Sequence, residues 1–157
     1  MTHCLGWREW LSLPELGIPG IKAKIDTGAR TSALHAYFVE PYREAGREMV
    51  RFGVHPLPRR EDIALICTAP IKERRQVTDS GGHREERFVI ESEIRLGDRA
   101  YRIEMTLTNR DSMKFRMLLG RSALQTIGLP IDAGRSYLVG KSLRKRYDSY
   151  SRKEQSL

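Results

Sequence analysis

IKAKIDTGARTSALHA, residues 21–36, decides how this chain is read. Apolar Ile21, Ala23 and Ile25 alternate with Lys22 and Lys24, the period-two pattern of a strand with one buried face. The run ends in Asp26-Thr27-Gly28-Ala29, a carboxylate on a tight turn. Gly28 allows close backbone approach there, and Thr27 and Ser32 supply hydroxyls that can hold the turn or orient the carboxylate. A dry strand that carries an Asp into a cleft suits one half of an aspartyl dyad. Such a dyad needs two carboxylates sharing one proton. One acts as base on water, and the other hydrogen-bonds the carbonyl under attack. Like charges at that distance cannot both ionise, so the two protons belong to the pair. Asp-Thr-Gly also occurs in plain turns, so the spacing alone leaves a structural role open.

The surrounding sequence is strand-rich. Residues 7–13 (WREWLSL) alternate weakly and read as a first strand, followed by a turn-rich connection over 14–20. Residues 49–54 and 63–68 read as further strands, separated by a loop over 56–62. Residues 72–87 are highly charged and carry Asp79-Ser80-Gly81-Gly82 near their centre, which marks a hairpin or loop. Residues 88–96 and 100–108 flank Gly97-Asp98-Arg99, a strong hairpin signal. Met117-Leu118-Leu119 is an apolar strand stopped by Gly120. Residues 121–127 (RSALQTI) predict a short helix closed by Gly128, with Pro130 beyond. Residues 137–139 read as a last strand. Many short strands with one late helix predict a mainly β, small closed barrel.

Length and composition fit one domain. The chain has 157 residues, 39% hydrophobic, enough to bury a core rather than remain disordered. No stretch approaches the apolar run that a membrane-spanning helix needs, so no membrane partner is expected. The first residues lack a secretory pattern, and Cys4 and Cys67 sit far apart. The expectation is therefore a cytoplasmic protein with free thiols. The net charge is +8, and residues 141–157 hold six basic residues against two acidic ones. We expect a domain over 1–140 and a basic, flexible tail over 141–157. Excess positive charge points to acidic partners: nucleic acid, ribosome, anionic lipid or an acidic peptide.

The Asp26-Thr27-Gly28-Ala29 run, preceded by Ile25 and followed about ninety residues later by Met117 to Arg121, resembles the retropepsin-like aspartic protease pattern. More narrowly, the chain is similar to a bacterial retropepsin-like family labelled "ATP-dependent zinc protease". The resemblance rests on residues 6–9, 22–35, 78–84, 107–110 and 117–121, in that order, and covers most of 6–140. It implies a retropepsin-like acid-protease barrel with one short C-terminal helix. The apolar strand before Gly120 would pack behind the Asp loop and lead into that helix. Members are associated with ATP-grasp glutamate ligases, which implies a peptidase acting on glutamate-rich tails, with a ribosomal protein as one candidate substrate.

Asp26, Thr27 and Gly28 are then the catalytic candidates. Ile131-Asp132-Ala133-Gly134 repeats the signature superficially, but only 25 residues follow Asp132. That is too few for a second backing strand and helix, so Asp132 reads as a turn residue. One complete signature implies a homodimer in which two-fold symmetry brings the two copies of Asp26 together. By position, residues 78–84 form the candidate flap, with Gly81 and Gly82 at its tip. Ala29, Gly81, Gly82, His83 and Arg84 complete the candidate substrate contacts together with Arg30 and Arg121. Viral retropepsins commonly carry an acid right after Asp-Thr-Gly-Ala that pairs with the arginine following the second glycine. Here the two positions are Arg30 and Arg121. Both can bind carboxylates in bidentate fashion, or each can pair with an acid such as Glu9, Asp111 or Asp132.

The family label raises zinc and ATP. The His set (His3, His35, His55, His83) with Cys4 and Cys67 shows no His-Glu-x-x-His or Cys-x-x-Cys spacing, and no phosphate-binding Gly-x-x-x-x-Gly-Lys run exists. No cofactor is expected, with a zinc peptidase kept as the alternative. The rival from another class is a non-catalytic module that docks ribosome or RNA through its basic surface. Only Tyr147 and Tyr150 interleave with the tail charges, so a base-stacking platform is missing.

Overall fold

The strand that carries Asp26 is central to the architecture. The computed structural model of the chain describes residues 4–78, 81–109 and 114–149. β1 (Leu5–Gly6) and β2 (Arg8–Leu13) are followed by a 3-10 turn over Pro14–Leu16, and β3 runs over Ile18–Ile25. β4 (Ser32–His35), β5 (Phe38–Glu44), β6 (Arg47–Val54) and β7 (Leu65–Pro70) follow. β8 (Glu73–Thr78), β9 (Arg84–Leu96) and β10 (Arg99–Thr108) precede β11 (Met117–Leu119), α1 (Arg121–Ile127) and β12 (Ile131–Asp132).

The main sheet has the order β10-β4-β11-β3-β2-β9-β8, and β9 also pairs with β10. That extra pairing closes six strands into a barrel and leaves β8 as an extension on β9. The predicted mainly β barrel with one short helix is therefore what forms. β5, β6 and β7 make a separate antiparallel sheet. Its Val50, Phe52, Val54, Cys67 and Ala69 share one apolar core with barrel residues such as Leu11, Ile21, Leu34 and Met105. Burial of these side chains is the main driving force for closing the barrel. Inside that core, burial pushes the Cys67 thiol up to about 12.

Several elements differ from expectation, each for a non-local reason. β3 begins at Ile18 and includes Pro19 and Gly20, which the turn signals had assigned to a connection. The Tyr147 hydroxyl accepts the Gly20 N–H and donates to the Gly20 carbonyl, so the segment is tied as a strand from outside. That contact also anchors the residues just beyond 140. Ser142–Tyr147 forms a 3-10 helix, and Tyr147 is buried against Trp10, Leu57 and Ile63. β7 starts two residues later than predicted, and β5 was not foreseen. Residues 137–139 are a turn and not a strand: Tyr137 takes a φ of 57°, and Glu9 captures the next two amides. Helix α1 spans the predicted residues and ends at Gly128 in the left-handed region (φ 71°), whose N–H donates to the Leu124 carbonyl. No helix is long and apolar enough to cross a membrane among the described residues.

Candidate active site

The Asp26 loop is held by the strand and helix that the sequence placed far away. β11 threads between β3 and β4, parallel to the first (Leu119 opposite Ile25) and antiparallel to the second (Leu118 opposite Ala33). The strands before and after the loop are thereby separated by a strand from another part of the chain. The Asp26 N–H donates to the Leu119 carbonyl at 2.9 Å. Gly120 N–H donates to Ser32 Oγ at 3.1 Å, and the Arg121 N–H reaches the Ala29 carbonyl at 2.8 Å. Gly120 is required by contact: a Cβ there would stand 2.7 Å from the Thr31 carbonyl group and 2.9 Å from Ala29 O. Backbone on that side cannot yield cheaply, so only glycine lets the loop seat on the strand.

Within the loop, Gly28 N–H donates to Asp26 Oδ1 at 2.9 Å, which fixes the carboxylate while leaving it half-exposed. Thr27 and Gly28 are exposed beside it. The Arg121 guanidinium donates to the Thr27 carbonyl at 2.9 Å. It therefore clamps the loop, a role the sequence reading did not give it. Asp132 stands apart in chemistry as well as topology. It closes β12 against β1 and accepts the Gly134 N–H at 3.0 Å, with no strand threaded behind its turn. Glu9 accepts three backbone N–H groups, so it is not the partner considered for Arg30 or Arg121. Asp111 lies outside the described residues.

The flap candidate is a hairpin of β8 and β9, paired from Glu73 opposite Val89 to Thr78 opposite Arg84. Asp79 and Ser80 lie outside the described residues. Gly81, Gly82, His83 and Arg84 are all exposed at its end, and Gly82 takes a φ of 83°. A groove of about 530 Å³ runs between β8 and the Asp loop, bounded by Arg30, Thr31 and Ser122 on one side and Val77 and Thr78 on the other. Its far wall is charge-balanced. Lys72 contacts Glu91 at 2.9 Å and Glu104 at 2.5 Å, and Arg75 contacts Glu73 and Glu104. Hydrogen bonds from Lys72, then from Arg102 and Arg75 respectively, hold the Glu91 and Glu104 carboxyls below their ordinary values. Both acids therefore keep their charge to a lower pH than an ordinary glutamate. The Arg30 side chain makes no hydrogen bond or ion pair to any of the described residues, its backbone carbonyl alone accepting the Ser122 N–H, which leaves its guanidinium unmatched in the groove.

Among the described residues, no three of His, Cys, Asp and Glu group as metal ligands. His35 is buried in β4, His55 stacks on Tyr37 at 4.1 Å, and both cysteines are free thiols.

Comparison with known proteins places the chain. Residues 4–142 match the family described as RimB-like, retropepsin-like aspartic endopeptidase RimB, and the chain belongs to that family. It is 44% identical over 137 residues to a Shewanella pealeana protein named probable alpha-L-glutamate ligase, covering 87% of this chain and 30% of that protein. A Desulfotalea psychrophila protein of the same name is 46% identical over 120 residues, covering 76% of this chain and 26% of its own. The chain thus spans less than a third of the length of those relatives. Among solved structures, a Legionella pneumophila protein of unknown function shares the fold, with a TM-score of 0.72 and 24% identity. That alignment covers 88% of this chain and 99% of the other.

Proposed function

We propose that this member of the RimB-like family is an aspartic-type endopeptidase. It works as a homodimer whose two copies of Asp26 form the dyad, and it cleaves acidic, glutamate-rich peptides. The observation that carries the reading is the interlock of the Asp26 loop with Gly120 and α1, which fixes the carboxylate yet leaves it and Thr27 half-open to a partner. In the cycle, the ionised carboxylate takes a proton from water as the water oxygen attacks the peptide carbonyl carbon. The protonated carboxyl gives its proton to the carbonyl oxygen. The tetrahedral diol then collapses, the C–N bond breaks, and the amine leaves with a proton from the dyad. The β8–β9 hairpin would close over the groove and exclude water.

The acidic substrate is supported by the unmatched Arg30 and by relatives named for joining glutamate, which contain a segment like this chain. A glutamate-tailed ribosomal protein in the cytoplasm fits that chemistry. The direct check is cleavage of a peptide ending in a run of glutamates, followed by mass spectrometry with and without a metal chelator. Cleavage indifferent to chelator is expected. Loss on chelation would assign the chemistry to zinc. No cleavage by the purified dimer would leave the basic binding module standing.

Arg30 offers a second measurement. A carboxylate on Arg contributes about 1.5–3 kcal/mol, so Arg30→Glu should lower kcat/KM on the glutamate peptide by about ten- to hundredfold. A neutral peptide should lose far less. Equal losses on both peptides would remove Arg30 from substrate recognition.

A further inference from the structure

A second cationic groove lies beside β3, the strand that leads into Asp26. Ile21, Ala23 and Ile25 are buried, so the pleat turns Lys22 and Lys24 to the opposite face, and half-exposed Asp26 follows directly after the strand. Strand register sets Arg8 beside Lys24 and Trp10 beside Lys22. Lys114 and Arg116 lead into β11, whose Met117 pairs with Ala23. With Arg59 and Arg60 from the loop after β6 and Arg144 from the last 3-10 helix, they line a groove of about 700 Å³. Among the described residues, seven that line it are basic and none is acidic.

Internal compensation is slight. Asp62 matches Arg60 at 2.6 Å. Arg8 donates to Ser136 Oγ and covers the Trp7 and Tyr137 rings, and Lys22 covers Phe115. Among the described residues, Arg8, Lys22, Arg59, Lys114 and Arg144 contact no carboxylate. Burial, then the charges of Arg8, Lys114 and Arg144, hold the Lys22 ammonium below its ordinary range. Crowded like charges of this kind are relieved by a bound anion.

The aromatic surfaces decide which anion. Trp10 is buried under Leu57, Ile63 and Tyr147, and cations cover the other rings. Among the described residues that line the groove, Trp10 is the one ring and it is buried, which disfavours stacking of single-stranded nucleic acid there. An extended peptide presenting successive carboxylates fits. From Lys22 to Asp26, the residue just after β3, is four residues, about 13 Å at the rise of a strand.

We propose that this groove is an extended subsite for acidic side chains of a peptide substrate, about four residues from the bond held over Asp26. Its placement rests on the peptidase reading, whereas its anion binding does not. The test measures fluorescence anisotropy of a labelled deca-glutamate peptide on the full chain carrying Asp26→Asn, which binds without turnover. Adding Lys22→Glu and Arg144→Glu should weaken binding by about tenfold or more, most at low salt. Arg43→Glu with Arg47→Glu, the same charge change on the exposed β5–β6 hairpin, should leave it unchanged. Lys114→Glu on an exposed loop serves as a second variant if the pair fails to fold. In the active chain the groove variants should raise KM for long acidic peptides with kcat little changed, and spare peptides truncated on that side. Unchanged affinity in the groove variants overturns the proposal. So does a labelled RNA decamer that binds more tightly than the peptide and is lost in the same variants. Binding that obeys the groove variants, without cleavage by the Asp26 chain, upholds the groove and sinks the peptidase reading.

Discussion

Asp26→Asn should lower peptide cleavage by on the order of a thousandfold or more, because a dimer of this variant carries two amides and no carboxylate to deprotonate water. The exchange is nearly isosteric, and the amide oxygen can still accept the Gly28 N–H that now reaches Asp26 Oδ1. The fold should persist, with a melting temperature close to that of the parent chain. Asp132→Asn is the internal control. Among the described residues its carboxylate accepts the amide of Gly134 in its own turn, so activity should not change. The dimer adds a sharper outcome. Mixing parent chain with excess Asp26→Asn chain should draw active subunits into mixed dimers that hold a single carboxylate. Activity should then fall well below the amount of parent chain present. If activity tracks parent chain alone, each chain works unaided and the shared dyad is wrong. If Asp132→Asn kills activity, the second carboxylate lies within the chain.

The elements legible in the sequence are those whose chemistry is local. Alternation over residues 21–25 gave β3 its register, Gly128 gave α1 its end, and Gly97-Asp98 gave the β9–β10 turn. The link between Asp26 and Gly120 could be read only because the family resemblance joined two motifs about ninety residues apart. Periodicity alone does not say that β11 passes between β3 and β4. Arg30 and Arg121 show the same limit. They are equivalent as unpaired cations in sequence, yet one donates to the Thr27 carbonyl and the other faces a groove. The turn signal of Pro19-Gly20 was sound locally and was overridden by Tyr147, which lies 127 residues later in the chain. The basic groove was invisible for a related reason. Its cations come from β2, β3, two loops and the last helical turn, and in the sequence they read as scattered surface charge.

Glu9→Ala should be the most damaging change outside the dyad, costing roughly 3–5 kcal/mol of stability, in the range seen when a buried charged partner is removed. Glu9 stands on the inward face of β2 with Leu11 and Leu13 and has no solvent exposure. A carboxylate placed there is tolerated only with strong donors around it. It has three: the N–H groups of Gly6 at 2.6 Å, Leu138 at 2.9 Å and Val139 at 3.1 Å. One side chain thereby joins the start of the barrel to the turn that follows β12, and it explains why residues 137–139 do not extend into a strand. Alanine would leave three amides without an acceptor and open a void that water reaches poorly. The melting temperature should fall by roughly 10 °C or more for a chain of this size. Glu9→Gln keeps the shape and one acceptor oxygen but turns an NH2 toward an amide donor, so its loss should be intermediate. Hydrogen exchange adds a local readout, since the Leu138 and Val139 amides should exchange faster in both variants. A drop of less than about 1 kcal/mol in Glu9→Ala, the worth of one ordinary hydrogen bond, would mean that the carboxylate does not hold these segments together.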